Sequence, residues 1–277
     1  MKKAVWLLFI LSLITRHVIG QKKSYELPNG TSIVTYITKD SIWLSTDSKS
    51  ATDINAKRTG YTTVCKIKEY HNVFMAMAGI PMFIYNGKTI WDSYDEVVKE
   101  LKTDTSLIAS YSALVKKLGD QMTQLYGSYI QNRSNAEVMD LFSVPNKVLL
   151  QATISGFNVR HKPFHANWLY YLNGNRFNWR IMSSEQALID GDKIDLVDHT
   201  DISLAGEKDS IWSFLHSPIQ KEILQPKSRM DRLIYLINLE VSKDSNNVGL
   251  PINVVVIYKN GHKWLTKNNV CKLVGRY

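Results

Sequence analysis

The stretch Thr31-Ser32-Ile33-Val34-Thr35-Tyr36-Ile37-Thr38-Lys39-Asp40-Ser41-Ile42-Trp43-Leu44-Ser45-Thr46-Asp47 decides how this chain is read. Residues 32–38 and 41–47 are rich in β-branched and aromatic side chains, and Lys39-Asp40 between them suits a two-residue hairpin loop. Pairing Thr38 with Ser41 fixes the register, because antiparallel partners keep a constant sum of residue numbers. Thr31 then falls opposite Ser48 and diagonal to Asp47, which brings a hydroxyl within reach of a carboxylate. A slip of one residue would set Asp47 directly opposite.

Upstream, the polar stretch Gln21 to Gly30 ends Leu27-Pro28-Asn29-Gly30, a loop or turn by composition, and regular structure is expected from Thr31. Further back, Lys2 and Lys3 precede the apolar run Ala4 to Ile14, followed by small residues at Val18 and Gly20. That is the pattern of a secretory signal peptide over residues 1–20, cleaved before Gln21. The run is too short for an ordinary spanning helix, and no other segment approaches eighteen apolar residues, so no stable membrane span is expected after its removal. A secreted or periplasmic location follows, and with it a disulfide between Cys65 and Cys271 is permitted.

Downstream, residues 49–62 are polar and read as a loop. Strands are expected over Thr63–Tyr70 and Val73–Ala78, with His71-Asn72 turning between them. The period lengthens toward 3.6 from Met82 to Lys102 and from Thr105 to Asn132, which predicts two helices. Strands return over 147–158, 168–172, 177–182 and 202–205. Helices over 210–215 and 227–243 come next, then strands 252–258 and 263–267 joined by Asn260-Gly261. Strands, helices, strands, helix and strands in that order suit an α+β fold of two stacked antiparallel sheets with helices outside them. With no Gly/Ser/Pro-rich linker and no fixed repeat, residues 31–277 read as one domain.

Composition narrows the function. The 277 residues carry 34 Lys+Arg against 25 Asp+Glu and are 44% hydrophobic, which excludes a disordered polyelectrolyte and a disulfide miniprotein. Residues 1–30 hold five of the basic groups against Glu26 alone, leaving +5 of the net +9 on the rest. Without a basic block or aromatic-basic repeat, no nucleic-acid partner is expected. Two cysteines cannot build a four-thiolate zinc site, and His161 and His165 have no evident third metal ligand. Gly87-Lys88-Thr89 lacks the Gly five residues earlier that a phosphate loop requires, and no GxSxG or GxGxxG occurs. Asn132-Arg133-Ser134 is a glycosylation acceptor only in a host that uses such sites.

Four segments together carry a family resemblance: Gly30-Thr31-Ser32-Ile33-Val34; Lys39 through Lys49; Cys65-Lys66-Ile67; and Met77-Ala78-Gly79. They resemble a proteasome β-type subunit and the bacterial proteasome-like protease that works beside an ATPase. Glu240 to Gly249, followed by Ile252–Tyr258 and Asn260-Gly261, is similar to that family's last helix, acidic turn and terminal strand pair. The resemblance implies a four-layer αββα N-terminal nucleophile (Ntn) hydrolase fold, with residues 21–30 as a propeptide cut at Gly30-Thr31. It implies Thr31 as nucleophile and α-amine base, with Asp47, Lys66 and Asp244 supporting it. Gly79 would offer a backbone N–H to the oxyanion and Met77 would line a substrate pocket. Lys66 comes about three residues late, Ile80-Pro81-Met82 departs from the family's small residues and acid, and Asn247 stands where a Ser is usual. The family's mid-chain Ser falls in Gly206-Glu207-Lys208-Asp209-Ser210 without a definite position. A homo-oligomeric ring is implied by resemblance alone.

Elementary chemistry gives those residues their own logic. A Thr hydroxyl needs a base, and a free α-amine of pKa ~7.7–8.0 is one that works near neutrality. Thr31 owns that amine only if the Gly30-Thr31 bond is cut, and Gly30 lacks the Cβ that would hinder attack on its carbonyl. A Lys66 cation lowers the pKa of nearby hydroxyl and amine groups, and Asp47 holds that cation. Each residue also has a plain reading: a turn at Asn29-Gly30, a strand-ending Asp47, an edge-strand Lys66, a strand-ending Gly79 and a core Met77. The expectation is an exported threonine-type peptidase or amidohydrolase, self-activated and without a cofactor, acting on peptides or small amides. The rival is a catalytically silent binding or assembly protein of the same fold.

Overall fold

A computed structural model describes residues 25–29, 31–54, 57–70, 73–79, 82–85, 88–101, 116–125, 127–128, 148–157, 161–173, 176–183, 201–206 and 208–273. The expected signal peptide, Gly30, the His71-Asn72 turn and the Asn132 sequon lie outside these residues. In chain order the strands of the first half are β1 (Tyr25–Asn29), β2 (Ser32–Ile37), β3 (Ser41–Thr46), β4 (Lys49–Ile54), β5 (Lys57–Thr63), β6 (Ile67–Tyr70), β7 (Val73–Gly79), β8 (Met82–Tyr85) and β9 (Lys88–Asp92). Helices α1 (Ser93–Leu101) and α2 (116–125) follow. Next come β10 (Val148–Phe157), β11 (Pro163–Asn173), β12 (Arg176–Ser183) and β13 (Asp201–Gly206). The chain then forms α3 (Asp209–Leu215), α4 (Gln220–Leu224), α5 (Arg229–Lys243), β14 (Asn253–Tyr258), β15 (Gly261–Thr266) and a 3-10 turn over Asn269–Leu273. This is a mixed α+β chain with antiparallel sheets.

Three five-stranded sheets result: β5-β4-β1-β8-β9, β13-β2-β3-β14-β15 and β12-β11-β10-β7-β6. The second and third meet through Ile33, Ile42 and Leu44 on one side and Ile67, Phe74 and Ala76 on the other. On β2 the alternate residues Val34 and Tyr36 turn the other way, onto Ile211, Leu233 and Leu236 of the C-terminal helices. The outer side of the third sheet buries Met75, Ile154 and Trp168 against Val97, Leu118 and Met122. The strict alternation of the β pleat is what lets β2 be buried on both faces, each large apolar side chain contributing about 1.5–3 kcal/mol of burial. Among the described residues no helix is long and apolar enough to cross a membrane.

The β2–β3 hairpin has the expected register, Ile33 opposite Thr46 through Ile37 opposite Ile42. Three other expectations need correction. Tyr25–Asn29 is a strand rather than a loop, paired with β4 on one side and β8 on the other. Residues 49–62 are not a loop but supply β4 and β5, a hairpin whose polar strands are held by ladder bonds rather than by propensity. Met82–Tyr85 and Lys88–Asp92 are the strands β8 and β9 instead of the first half of a helix. The helix starts at Ser93, where Asp92 Oδ1 accepts the Tyr94 N–H at 2.8 Å and so caps it. Of the second expected helix, residues 116–125 are helical. The two cysteines are joined: Cys65 and Cys271 form a disulfide with Cα atoms 4.8 Å apart, closing a separation of 206 residues.

Candidate active site

Asp47 is the centre of the arrangement. It lies one residue beyond the last β2–β3 pair, with its N–H 3.3 Å from the Ser32 carbonyl, and its side chain is wholly buried. Oδ1 accepts the Ser32 N–H at 2.9 Å and the Lys66 ammonium at 2.9 Å. Oδ2 accepts the Lys49 N–H, the Gly249 N–H and Lys66 Nζ, each at 3.0 Å. One carboxylate therefore gathers the peptide after Thr31, the start of β4, the segment before β6 and the turn after α5. Desolvation by burial pushes the Asp47 carboxyl up, opposed by the Lys66 charge and the backbone donors. The same burial pushes Lys66 down, opposed by Asp47.

Lys66 is fixed from two further directions. Its neighbour Cys65 is bonded to Cys271, and its own carbonyl accepts the Tyr94 hydroxyl at 2.7 Å. Tyr94 is buried near the start of α1, and desolvation raises its pKa far above the usual phenol value, so the hydroxyl stays a donor. Nothing in local patterning marks Tyr94. Its role depends on a helix packing across the end of a strand.

Thr31, 4% exposed, stands directly before β2. Ser32 N and Lys66 Nζ share Asp47 Oδ1, so the cation sits beside the Thr31–Ser32 peptide. Gly206, the last residue of β13, presses on it from the other side. Its φ is +75°, and a Cβ there would lie 2.1 Å from the Thr31 carbonyl oxygen and 2.7 Å from Ala78 Cβ. The Gly206 N–H is bonded to Gln151 Oε1 at 3.0 Å. The mid-chain segment 206–210 thus touches Thr31 through Gly206, whereas Ser210 turns its N–H onto Glu240 Oε1 at 2.6 Å.

The remaining candidates divide. Gly79 ends β7 with φ +90°, and a Cβ there would lie 2.3 Å from the Leu149 carbonyl oxygen, so β10 accounts for the glycine. Met77 is buried on the α1 side of the third sheet with its sulfur 2.7 Å from Ser93 Oγ, so it packs in the core at that point. Asp244 ends α5 and accepts Asn247 Nδ2 at 2.6 Å, while its carbonyl accepts the Asn247 and Val248 N–H groups. Its turn reaches Asp47 through Gly249, where a Cβ would lie 2.7 Å from Lys49 Cδ. His165 is buried with Nδ1 2.9 Å from Ser155 Oγ, and His161 is exposed. Among the described residues no group of three or more His, Cys, Asp and Glu could hold a metal.

No family model matches the chain, and no curated protein matches it.

Proposed function

We propose that this chain is an exported N-terminal threonine hydrolase of the proteasome β type, cleaving peptide or other amide bonds after cutting itself at Gly30-Thr31. The observation that carries the reading is the buried Lys66–Asp47 pair at 2.9 Å, docked on the peptide that follows Thr31. A buried ion pair adds little to stability over a well-packed apolar pair, so its placement against the Thr31–Ser32 peptide asks for a chemical reason. The three core clusters support a four-layer αββα arrangement of the second and third sheets with helices outside them, and the leader and residues 21–30 would be removed in maturation.

Self-cleavage would run by attack of Thr31 Oγ on the Gly30 carbonyl carbon. The Thr31 nitrogen leaves as an amine after taking a proton, and water then hydrolyses the ester. The freed α-amine would next accept the Oγ proton during attack on a substrate carbonyl and pass it to the leaving amine. Lys66 would lower the pKa of both groups, and the Gly79 N–H would meet the developing oxyanion. An exported enzyme lacks ready ATP, which favours short peptides or small amides over folded proteins. Assembly into a homo-oligomeric ring belongs to the same reading.

Two observations favour the silent homologue. β1 is built into a sheet on the uncut side of Thr31, and Asn247 donates an amide to Asp244 where a hydroxyl is usual. The test is the N-terminus of protein purified from its exporting host, with hydrolysis of a peptide panel by wild type and Thr31→Ala. A start at Thr31 and a loss of about 10³-fold or more in Thr31→Ala are expected. A wild-type start at Gln21 that persists, with equal hydrolysis by both proteins, would transfer the assignment to the silent homologue.

A further inference from the structure

We propose that Gln151 is a positioning residue for Thr31, a strut between two sheets that sets the distance from the nucleophile to the Gly79 backbone; this rests on the hydrolase reading. Thr31 leads β2 in the second sheet, and Gly79 ends β7 in the third. The two sheets meet mainly through Ile33, Ile42, Leu44, Ile67, Phe74 and Ala76, non-directional contacts that tolerate small slides, and are tied directionally by Lys66 to Asp47 at the β6 edge and by Asn167 to Ser203 farther along β13. An acyl transfer does not tolerate them, since displacements of about 1 Å in reacting geometry can cost about 10²-fold in rate. Lys66 fixes Thr31 from the β6 side, and a directional bond is needed on the β7–β10 side, where Gly79 lies.

Gln151 supplies it. On β10 it pairs with Ala78, the residue before Gly79, and it is 5% exposed. From there its Oε1 crosses to the Gly206 N–H at 3.0 Å, and Gly206 pairs with Ser32 in the neighbouring sheet. The contact does not end at Gly206. With φ +75° and no room for a Cβ between the Thr31 carbonyl oxygen and Ala78, Gly206 transmits its position to Thr31 by direct backbone packing. Burying a polar amide in a sheet interface is unfavourable unless its hydrogen bonds are made, which gives the glutamine a stated task. Gln151 itself reaches neither proton nor carbonyl in the reaction, and it acts through Gly206.

The full-length chain carrying Gln151→Met, Gln151→Asn or Gln151→Glu tests this. Methionine keeps the volume and loses the acceptor, asparagine withdraws the oxygen, and glutamate keeps an oxygen in place. Self-cleavage is followed by intact mass, and kcat and KM are measured on a peptide panel, per site counted by a covalent threonine-directed inhibitor. Met and Asn should each lower the self-cleavage rate and kcat about 10- to 100-fold with KM within about twofold, and Glu should restore most of kcat. Per-site kcat equal to wild type in Met, or in Asn should Met fail to fold, would overturn the proposal and leave only a packing role. Thr31→Ala in the same assay separates the two readings. If wild type and Thr31→Ala hydrolyse equally, the hydrolase reading fails and takes this one with it. If they differ while the Gln151 variants match wild type, Gln151 alone is wrongly assigned.

Discussion

At Asp47, three backbone N–H groups and one ammonium converge on a side chain with no solvent contact. Removing one partner of such a pair strands the other charge. Asp47→Asn should therefore lose about 3–5 kcal/mol of stability in urea unfolding, whereas replacing both Asp47 and Lys66 by apolar residues of similar volume should recover much of it. His165 makes a separate prediction. Burial lowers its pKa from 6.5 to about 3, so the unfolded chain takes up a proton at higher pH than the folded one. Its contribution is complete above pH 6.5 and drains away as pH falls from there toward 3, at up to about 1.4 kcal/mol per pH unit. Urea midpoints between pH 7 and 4 should fall less steeply in His165→Asn than in wild type. The nearness of Asp47 to the Thr31–Ser32 peptide was legible in the sequence because that relation lies inside one hairpin, where register converts spacing into distance. Tyr94, Gln151 and Gly206 were not, since each acts on a residue brought near only by packing between sheets or between sheet and helix.

Among elements, the β2–β3 hairpin and α5 were readable from local chemistry, and the first sheet was not. β4 is Lys-Ser-Ala-Thr-Asp-Ile, a sequence with little apolar content, and it is a strand because β1 and β5 flank it. Residues 82–92 share β-prone aromatics with the helix-like spacing of Val97, Val98 and Leu101, and a window spanning both blurs a boundary that Asp92 sets by capping Tyr94. The start of α5 is set in the same manner. Ser228 Oγ accepts the Asp231 N–H at 3.2 Å, and its hydroxyl donates to Asp231 Oδ2 at 2.6 Å. Ser228→Ala should lower stability by about 1 kcal/mol, read as a shift in thermal midpoint.

For the molecule as a whole, the long-range tie is the disulfide. It joins the residue before Lys66 to the 3-10 turn near the end of the chain, closing a loop of 206 residues. Cross-linking so distant a pair restricts the unfolded chain strongly, and reduction should cost about 3–5 kcal/mol. Unfolding with and without reductant measures it directly, and Cys65→Ala with Cys271→Ala should reproduce the reduced value. The sequence allowed this bond without naming it, because two cysteines permit a pairing but carry no distance.

The placement of β1 bears on the proposed self-cleavage. Tyr25–Asn29 lies between β4 and β8, so the segment upstream of Thr31 is an interior strand with a neighbour on each side. Cutting after Gly30 would sever that strand from the chain without breaking a single ladder bond. Its departure would leave a gap of roughly two strand spacings, about 10 Å, rimmed by unpaired N–H and C=O groups. Such a gap is a mould for one extended backbone. Whatever main chain entered it would inherit the direction of the strand it replaced, so that on the hydrolase reading the departing segment would be the first tenant of a substrate groove rather than a discarded cover.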